Sequence, residues 1–343
     1  MKLKKLCYTL VLMSPSFIAL AQIGKSKAKT LQKDSPTVVQ TVDKKITPAS
    51  ATGPLDNAVH RNANVTITNA VTLNSDKDDF SPIFYSNGLV FCSAVKKSKK
   101  KGDDEKEPDD INLRYATFDA NGVLSKPANF GHRANTKTNE GPSCFSANQD
   151  TLYLSRTASK NGKMVLNKNG KATLKIYIKT RDTSGNFIGE DILPFESENY
   201  SYCHPTMSAD NNRLYFSSDM PGGFGGMDLW VTRRMKDGNW SQPINLGARV
   251  NTPKNEVFPF MSEKGSFFFA SDGMPGSKGG YDLYRLEIEH RTARAFPLGE
   301  PFNTEADDFG LMLLPKDENK GYFSSNRKGG TGGDDIYEFE IKK

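Results

Sequence analysis

The segment SADNNRLYFSSDMPGGFGGMDLWVTRRMKDGNWSQPINLGARVNTPKNEVFP spans Ser208 to Pro259. It opens on a polar turn, Ala209 to Asn212, which leads into Arg213-Leu214-Tyr215-Phe216-Ser217-Ser218, residues that suit a pleated strand. A glycine-rich link separates this strand from a second, Met227 to Arg233. After Asp237-Gly238-Asn239 a further strand is predicted over Trp240 to Leu246, followed by an Asn-Thr-Pro loop and the next unit at Glu256-Val257-Phe258-Pro259. One such meander has two exposed edges and too little core to stand alone.

The pattern recurs along the chain. Asp79-Phe80-Ser81-Pro82, Glu140-Gly141-Pro142, Tyr202-Cys203-His204-Pro205, Glu256-Val257-Phe258-Pro259 and Asp308-Phe309-Gly310 each open a short strand. A turn follows every time, such as Ser86-Asn87-Gly88 or Glu263-Lys264-Gly265, and then an aromatic strand: LVFCS, LYLSR, LYFSS, FFFAS and GYFSS. A third strand comes next, INLRYATF, LKIYIKT, MDLWVTR, YDLYRLEI and DIYEFEI. Pro82, Pro142, Pro205, Pro259 and Gly310 lie 60, 63, 54 and 51 residues apart. Four strands at that period predict propeller blades.

The two ends of the chain sharpen this reading. The fifth unit stops at Lys343 after its third strand, and an orphan strand, Val65 to Leu73, precedes the first unit. That strand is expected to form the outer strand of the last blade and so close the ring. The fold class expected is all-β: a single five-bladed β-propeller over residues 61–343, completed by an N-terminal strand.

Ahead of the repeats, Met1 to Ala21 has Lys2, Lys4 and Lys5, an apolar run from Leu6 to Leu20, and Ala19-Leu20-Ala21 before Gln22. This is the pattern of a cleaved secretory signal, and the run is too short to span a membrane. Residues 22–60 are rich in Lys, Thr, Ser, Gln and Pro without apolar periodicity, which predicts a flexible linker. The formal charge of +6 resides in these two segments, leaving the repeats near neutral. A nucleic-acid partner, which needs a basic surface on the fold itself, is not expected.

LYFSSDMPGGFGGMDLW, FFFASDGMPGSKGGYDLY and GYFSSNRKGGTGGDDIY resemble the WD40-like β-propeller repeats of TolB-type and related proteins of the bacterial cell envelope. The NLG, NT, E and P signature between units is similar to envelope propellers of Bacteroidetes. Those occur beside tetratricopeptide and OmpA-like peptidoglycan-binding domains, one of them in a component of the type IX secretion system. The resemblance covers residues 64–343 and is strongest in units three to five. It implies a propeller of the periplasm or outer-membrane periphery.

Asp79, Glu140, Glu256 and Asp308 recur at the start of the innermost strand, near the expected channel mouth. One reading is a carboxylate ring that binds a ligand or partner, or works as acid and base. The other is that each carboxylate accepts backbone N–H groups where the chain enters a blade, since repeats restate structural needs. Cys203 is expected at the Glu140 position of the third unit, which would leave a ring incomplete. Gly222-Gly223-Phe224-Gly225-Gly226 and Gly329-Gly330-Thr331-Gly332-Gly333 lack the lysine and the following helix of a phosphate cradle. Their glycines are expected to supply positive φ, with Asp228, Asp282 and Asp335 capping the turns.

His60, His132, His204 and His290 have no metal-ligand spacing, and no nucleophile–base motif occurs, so neither metal, cofactor nor catalytic residue is assigned. Cys92, Cys144 and Cys203 survive signal removal and are expected as buried thiols. Two inserts, Lys96 to Asp110 and Thr157 to Thr173, are expected as solvated loops between second and third strands. Strand alternation puts them on one face with the glycine-rich loops, opposite the tight turns. The function expected is a non-enzymatic, exported binding scaffold that engages an envelope protein or cell-wall component through that face. The alternatives are a glycan-processing enzyme or a lectin-like sugar binder working at the channel mouth.

Overall fold

The computed structural model describes residues 64–96, 110–289 and 292–342. The segments expected as signal and linker, and residues 97–109 of the first insert, lie outside the described residues. Five four-stranded antiparallel sheets make five blades. The inner strands are Asp79–Tyr85, Glu140–Phe145, Tyr202–Met207, Glu256–Met261 and Asp308–Leu314. Behind them run Gly88–Val95, Thr151–Thr157, Arg213–Ser218, Phe267–Ser271 and Asp317–Ser325, then Asp110–Thr117, Leu174–Arg181, Asp228–Arg233, Asp282–Glu289 and Asp335–Lys342. Among the described residues no helix is long and apolar enough to cross a membrane.

The second strands are buried on both faces because each blade is covered by a neighbour on either side. Phe91, Leu154, Phe216, Phe269 and Phe323 sit at the same register and are at most 1% exposed. Burying one such side chain contributes about 1.5–3 kcal/mol. The repeated aromatic strands are therefore the ring's core.

The N-terminal strand closes the ring as expected. Asn64–Asn69 pairs antiparallel with Asp335–Lys342, with Val65 opposite Ile341 and Ile67 opposite Phe339. It is shorter than the predicted Val65 to Leu73. From Ala70 the chain turns back, Leu73 N donating to Ala70 O at 2.8 Å, and Leu73 is buried under the last blade.

The other outer strands vary for a visible reason. Trp240 to Leu246 reduces to Ile244–Asn245, and the outer strand of blade 1 to Ala128–Asn129. Pro243 and Pro127 immediately precede them, and a proline has no N–H for the ladder. Blades 2 and 4, with no proline ahead of the strand, keep six-residue outer strands, Phe187–Ile192 and Thr292–Pro297, the blade 4 proline falling only at the strand's last residue.

Each inner strand carries a bulge, where the register slips between Phe80 and Ile83, Glu140 and Ser143, Cys203 and Thr206, Val257 and Phe260, and Phe309 and Met312. In four blades the bulged residue is left-handed: Ser81, His204, Phe258 and Gly310 have φ of 50–60°. The bulge turns a backbone N–H toward the preceding blade. Ser324 Oγ accepts from Ser81 N at 2.8 Å, and Ser155 Oγ from His204 N at 2.9 Å. These bonds tie one blade to the next around the channel.

Candidate functional site: the loop face and the channel

The link into a blade is built from an Asn, a Thr or Ser beside it, and a carboxylate four residues on. Asn74, Asn135, Asn251 and Asn303 each lay a side-chain amide along the third strand of the blade just finished. Asn251, for example, accepts from Leu229 N at 2.8 Å and donates to Leu229 O at 3.0 Å. The other three do the same to Ile336, Leu113 and Leu283. The neighbouring residue then donates forward to the carboxylate: Ser75 N to Asp79 at 2.6 Å, Thr136 N to Glu140 at 2.9 Å, Thr252 N to Glu256 at 2.7 Å and Thr304 N to Asp308 at 2.7 Å.

All four carboxylates are at most 1% exposed. A serine on the second strand takes the other oxygen in blades 4 and 5, Ser271 to Glu256 at 2.7 Å and Ser325 to Asp308 at 2.6 Å, and Ser93 serves Asp79. Burial raises the carboxyl pKa of Asp79, Glu256 and Asp308, against the pull of these hydrogen bonds. Glu140 is pushed up to about 7, burial outweighing Thr136, Arg156 and Lys179. In blade 3 the equivalent residue is Tyr202, not Cys203. Tyr202 pairs with Ser218 as Asp79 pairs with Ser93 and Glu256 with Ser271. Its hydroxyl accepts from Ser197 N at 3.2 Å, so a phenol holds the loop where a carboxylate does elsewhere.

The channel itself is lined by the bulges. Pro82, Pro142, Pro205, Pro259 and Gly310 ring a cavity of about 30 Å³ there, room for roughly two waters. None of the four carboxylates lines this cavity. Its titratable group is His204, whose ring stacks on Phe258 with centroids 3.9 Å apart. The Nδ1 atom accepts from Phe258 N at 3.4 Å, and burial pushes the imidazole pKa down to about 3. It is a neutral acceptor that braces a bulge.

The glycine-rich loops have two jobs where one was expected. Gly222, Gly276 and Gly329 do take positive φ, and the aspartates do cap. Phe224 N donates to Asp228 at 2.6 Å, Lys278 N to Asp282 at 2.5 Å and Gly332 N to Asp335 at 3.1 Å. The paired glycines that follow are required for close approach instead. A Cβ on Gly225 would fall 2.2 Å from the Pro253 carbonyl carbon, one on Gly279 2.0 Å from Ala306 O, and one on Gly332 1.9 Å from Lys77 O. Gly226 N reaches Lys254 O at 2.7 Å and Gly333 N reaches Lys77 O at 3.1 Å. Each glycine loop is thus fastened to the loop entering the next blade, and both sets share one face of the ring.

On the opposite face the tight turns touch in the same chain-wise manner, Gln149 accepting from Ser86 N and Asn211 from Ala147 N, both at 2.8 Å. The loop face also carries the second insert. It is folded rather than loose: Ser159–Lys160 pairs with Lys163–Met164, and Leu166 bridges Ala172. Phe224, at the tip of the blade 3 glycine loop, is 49% exposed.

Among the described residues no group of three or more His, Cys, Asp or Glu could hold a metal ion. His60 and His290 lie outside the described residues. Cys92, Cys144 and Cys203 are free and buried, and burial raises each thiol pKa. Sequence reasoning missed one charged cluster in blade 2, Arg156, Lys179 and Glu190. The signal was present: LYLSR ends in Arg156 where the other four aromatic strands have serine.

Comparison with known proteins shows the fold alone. No family model matches the chain, and no curated protein matches it in sequence. Among solved structures it is similar to a putative TolB from Agrobacterium tumefaciens, at 12% identity and TM-score 0.41, covering 76% of each chain. A GH43 β-xylosidase/α-arabinofuranosidase from a compost microbial metagenome aligns at 8% identity and TM-score 0.46, over 80% of this chain and 93% of that one. A puromycin-hydrolyzing peptidase of Mycobacterium tuberculosis aligns at 13% identity and TM-score 0.38, over 72% of this chain, which spans 35% of the peptidase. The chain is a five-bladed β-propeller with distant likeness to several propellers of different activity.

Proposed function

We propose that this propeller is an exported, non-enzymatic binding scaffold of the periplasm or outer-membrane periphery, and that a protein or cell-wall component docks on its loop face. The observation that carries the reading is the fastening of glycine loops to inter-blade loops by glycine contacts and backbone hydrogen bonds. Loops held this firmly form a preorganised surface, which lowers the entropic cost of binding. Phe224 stands out from that surface as an aromatic anchor of the kind that dominates interface energy. The repeated carboxylates, the natural acid and base for glycan chemistry, are buried, and each accepts a loop N–H. That commitment favours the scaffold over a glycan-processing enzyme.

The test compares loop-face and turn-face variants for retention of envelope material. Phe224→Ala and a variant with 159–171 replaced by a short Gly-Ser link are set against Asn87→Ala, Asn211→Ala and Lys264→Ala. All must first melt like the wild type. Capture lost in the loop-face variants alone is expected. Loss confined to the turn-face variants, or hydrolysis of envelope glycans by the wild type, would overturn the reading.

A further inference from the structure

Blade 2 departs from the repeat at two buried positions. Opposite the first residue of the inner strand, second strands place Ser93, Ser218, Ser271 and Ser325 elsewhere, but Arg156 here. Third strands place Ala116, Thr232, Leu286 and Phe339 opposite the start of the aromatic run, where blade 2 has Lys179 opposite Leu152. Two cations therefore stand where the fold asks for small or apolar groups. Their side chains are 2% and 4% exposed.

Burying cations is costly unless they are paired, and one group pairs both. Glu190, on the outer strand Phe187–Ile192, receives both Arg156 terminal nitrogens, Nη1 to Oε1 at 3.1 Å and Nη2 to Oε2. Lys179 Nζ reaches the same Oε1 at 3.2 Å and Arg133 O at 3.5 Å. The Arg156 guanidinium carbon lies over Tyr177, 3.6 Å from the ring centroid, while its terminal nitrogens reach the outer strand. Glu190 is unlike its partners in being 58% exposed.

A second observation marks the place. Glu140 Oε2, Arg156 Nε and Thr157 Oγ1 are all buried without a hydrogen-bond partner. In sibling blades a serine fills the role of satisfying that carboxylate oxygen, as Ser271 does for Glu256. Replacement of serine by Arg156 leaves Glu140 half-satisfied, so the repeat's own stabilising bond is given up for the cation pair.

We propose that Arg156, Lys179 and Tyr177 form a receptor for a carboxylate group of an incoming ligand, and that Glu190 is the resident carboxylate it displaces. The chemistry selects carboxylate: the fork already holds one bidentately, with the ammonium on the shared oxygen, and a planar guanidinium matches that geometry. Access is from the solvent side, where Glu190 swings out on an edge strand and leaves both cations paired to the newcomer. The site operates whichever face of the ring the partner covers, so its failure would leave the docking reading intact.

The test uses the mature full chain with sodium acetate and sodium D-glucuronate as probes, against sodium chloride at equal ionic strength. Glu190→Gln removes the resident negative charge and leaves two buried cations without a counter-ion, so its melting temperature should fall. Both carboxylates should restore it progressively as ligand saturates the site, while chloride does not. The double variant Glu190→Gln with Arg156→Lys keeps the charge, loses the fork and should lose the rescue. Equal behaviour in carboxylate and chloride, or rescue that persists in the double variant, would overturn the proposal. Should Glu190→Gln fail to fold, the Arg156 Nε–H resonance of the wild type decides. It should shift with glucuronate and not with chloride, and an unmoved resonance would refute the receptor.

Discussion

Glu140 shows how one residue can carry two demands. Its Oε1 accepts from Thr136 N and Oγ1, and its Oε2 has no partner because Arg156 stands in place of serine. Burial leads the causes that push its carboxyl up to about 7 from an ordinary 4.5. Since the folded-state value is the higher one, the folded state binds the extra proton. Its contribution to stability is therefore full below pH 4.5 and is lost as pH rises through 7. The shift corresponds to about 3 kcal/mol of pH-dependent stability. Glu140→Gln, which keeps the oxygen that Thr136 needs, should remove a loss of that order between pH 4.5 and 7.5. Urea unfolding of wild type and variant at both pH values measures it, and parallel slopes would show the carboxyl ionises freely in the fold. The structural role of the four carboxylates was legible because Asp79, Glu140, Glu256 and Asp308 recur at one register. The orphaned oxygen was not, since it depends on how Arg156 turns.

Among the elements, the glycine loop is where sequence and structure part most instructively. Glycine clusters read as turn formers, and Gly222 and Gly329 are. The later pair, Gly332-Gly333, is there because a neighbouring backbone occupies the space of a side chain, a tertiary fact that no local pattern carries. Gly332→Ala would force its Cβ against Lys77 O at 1.9 Å, and relieving such a clash costs about 1–3 kcal/mol. Gly131 has an ordinary φ and open space around its missing Cβ, so Gly131→Ala should be neutral or slightly stabilising. Equal melting temperatures for the two alanine variants would mean the loops are not fastened as described. The strands were legible for the opposite reason: alternation and aromatic runs are local. Their outer members were overread at Trp240 to Leu246, where Pro243 breaks the ladder. The left-handed bulges at Ser81, His204 and Phe258 left only the following proline as a trace.

At the scale of the whole molecule, the ring is a closed chain of neighbours. Inner-strand N–H groups bond to the preceding blade, glycine loops grip the next inter-blade loop, and Asn64–Asn69 completes the last sheet. Asn74 bonds both N and O of Ile336, and Asp78 accepts from Asp334 N at 3.1 Å, so the seam between the ends repeats the junctions elsewhere. Closure was legible because strand arithmetic leaves no other partner for Val65 to Leu73. The function of the ring was less so, since the channel wall and the docking face arise from residues far apart in sequence. The seam also gives the most direct test. Deleting residues 22–60 removes only chain ahead of the closing strand, and deleting 22–69 removes the strand as well. The first variant should melt with the wild type. The second loses a six-residue ladder and the packing of Val65 and Ile67, worth several kcal/mol, and should melt roughly 5–10 °C lower. Two truncations that melt at the same temperature would contradict closure by this strand.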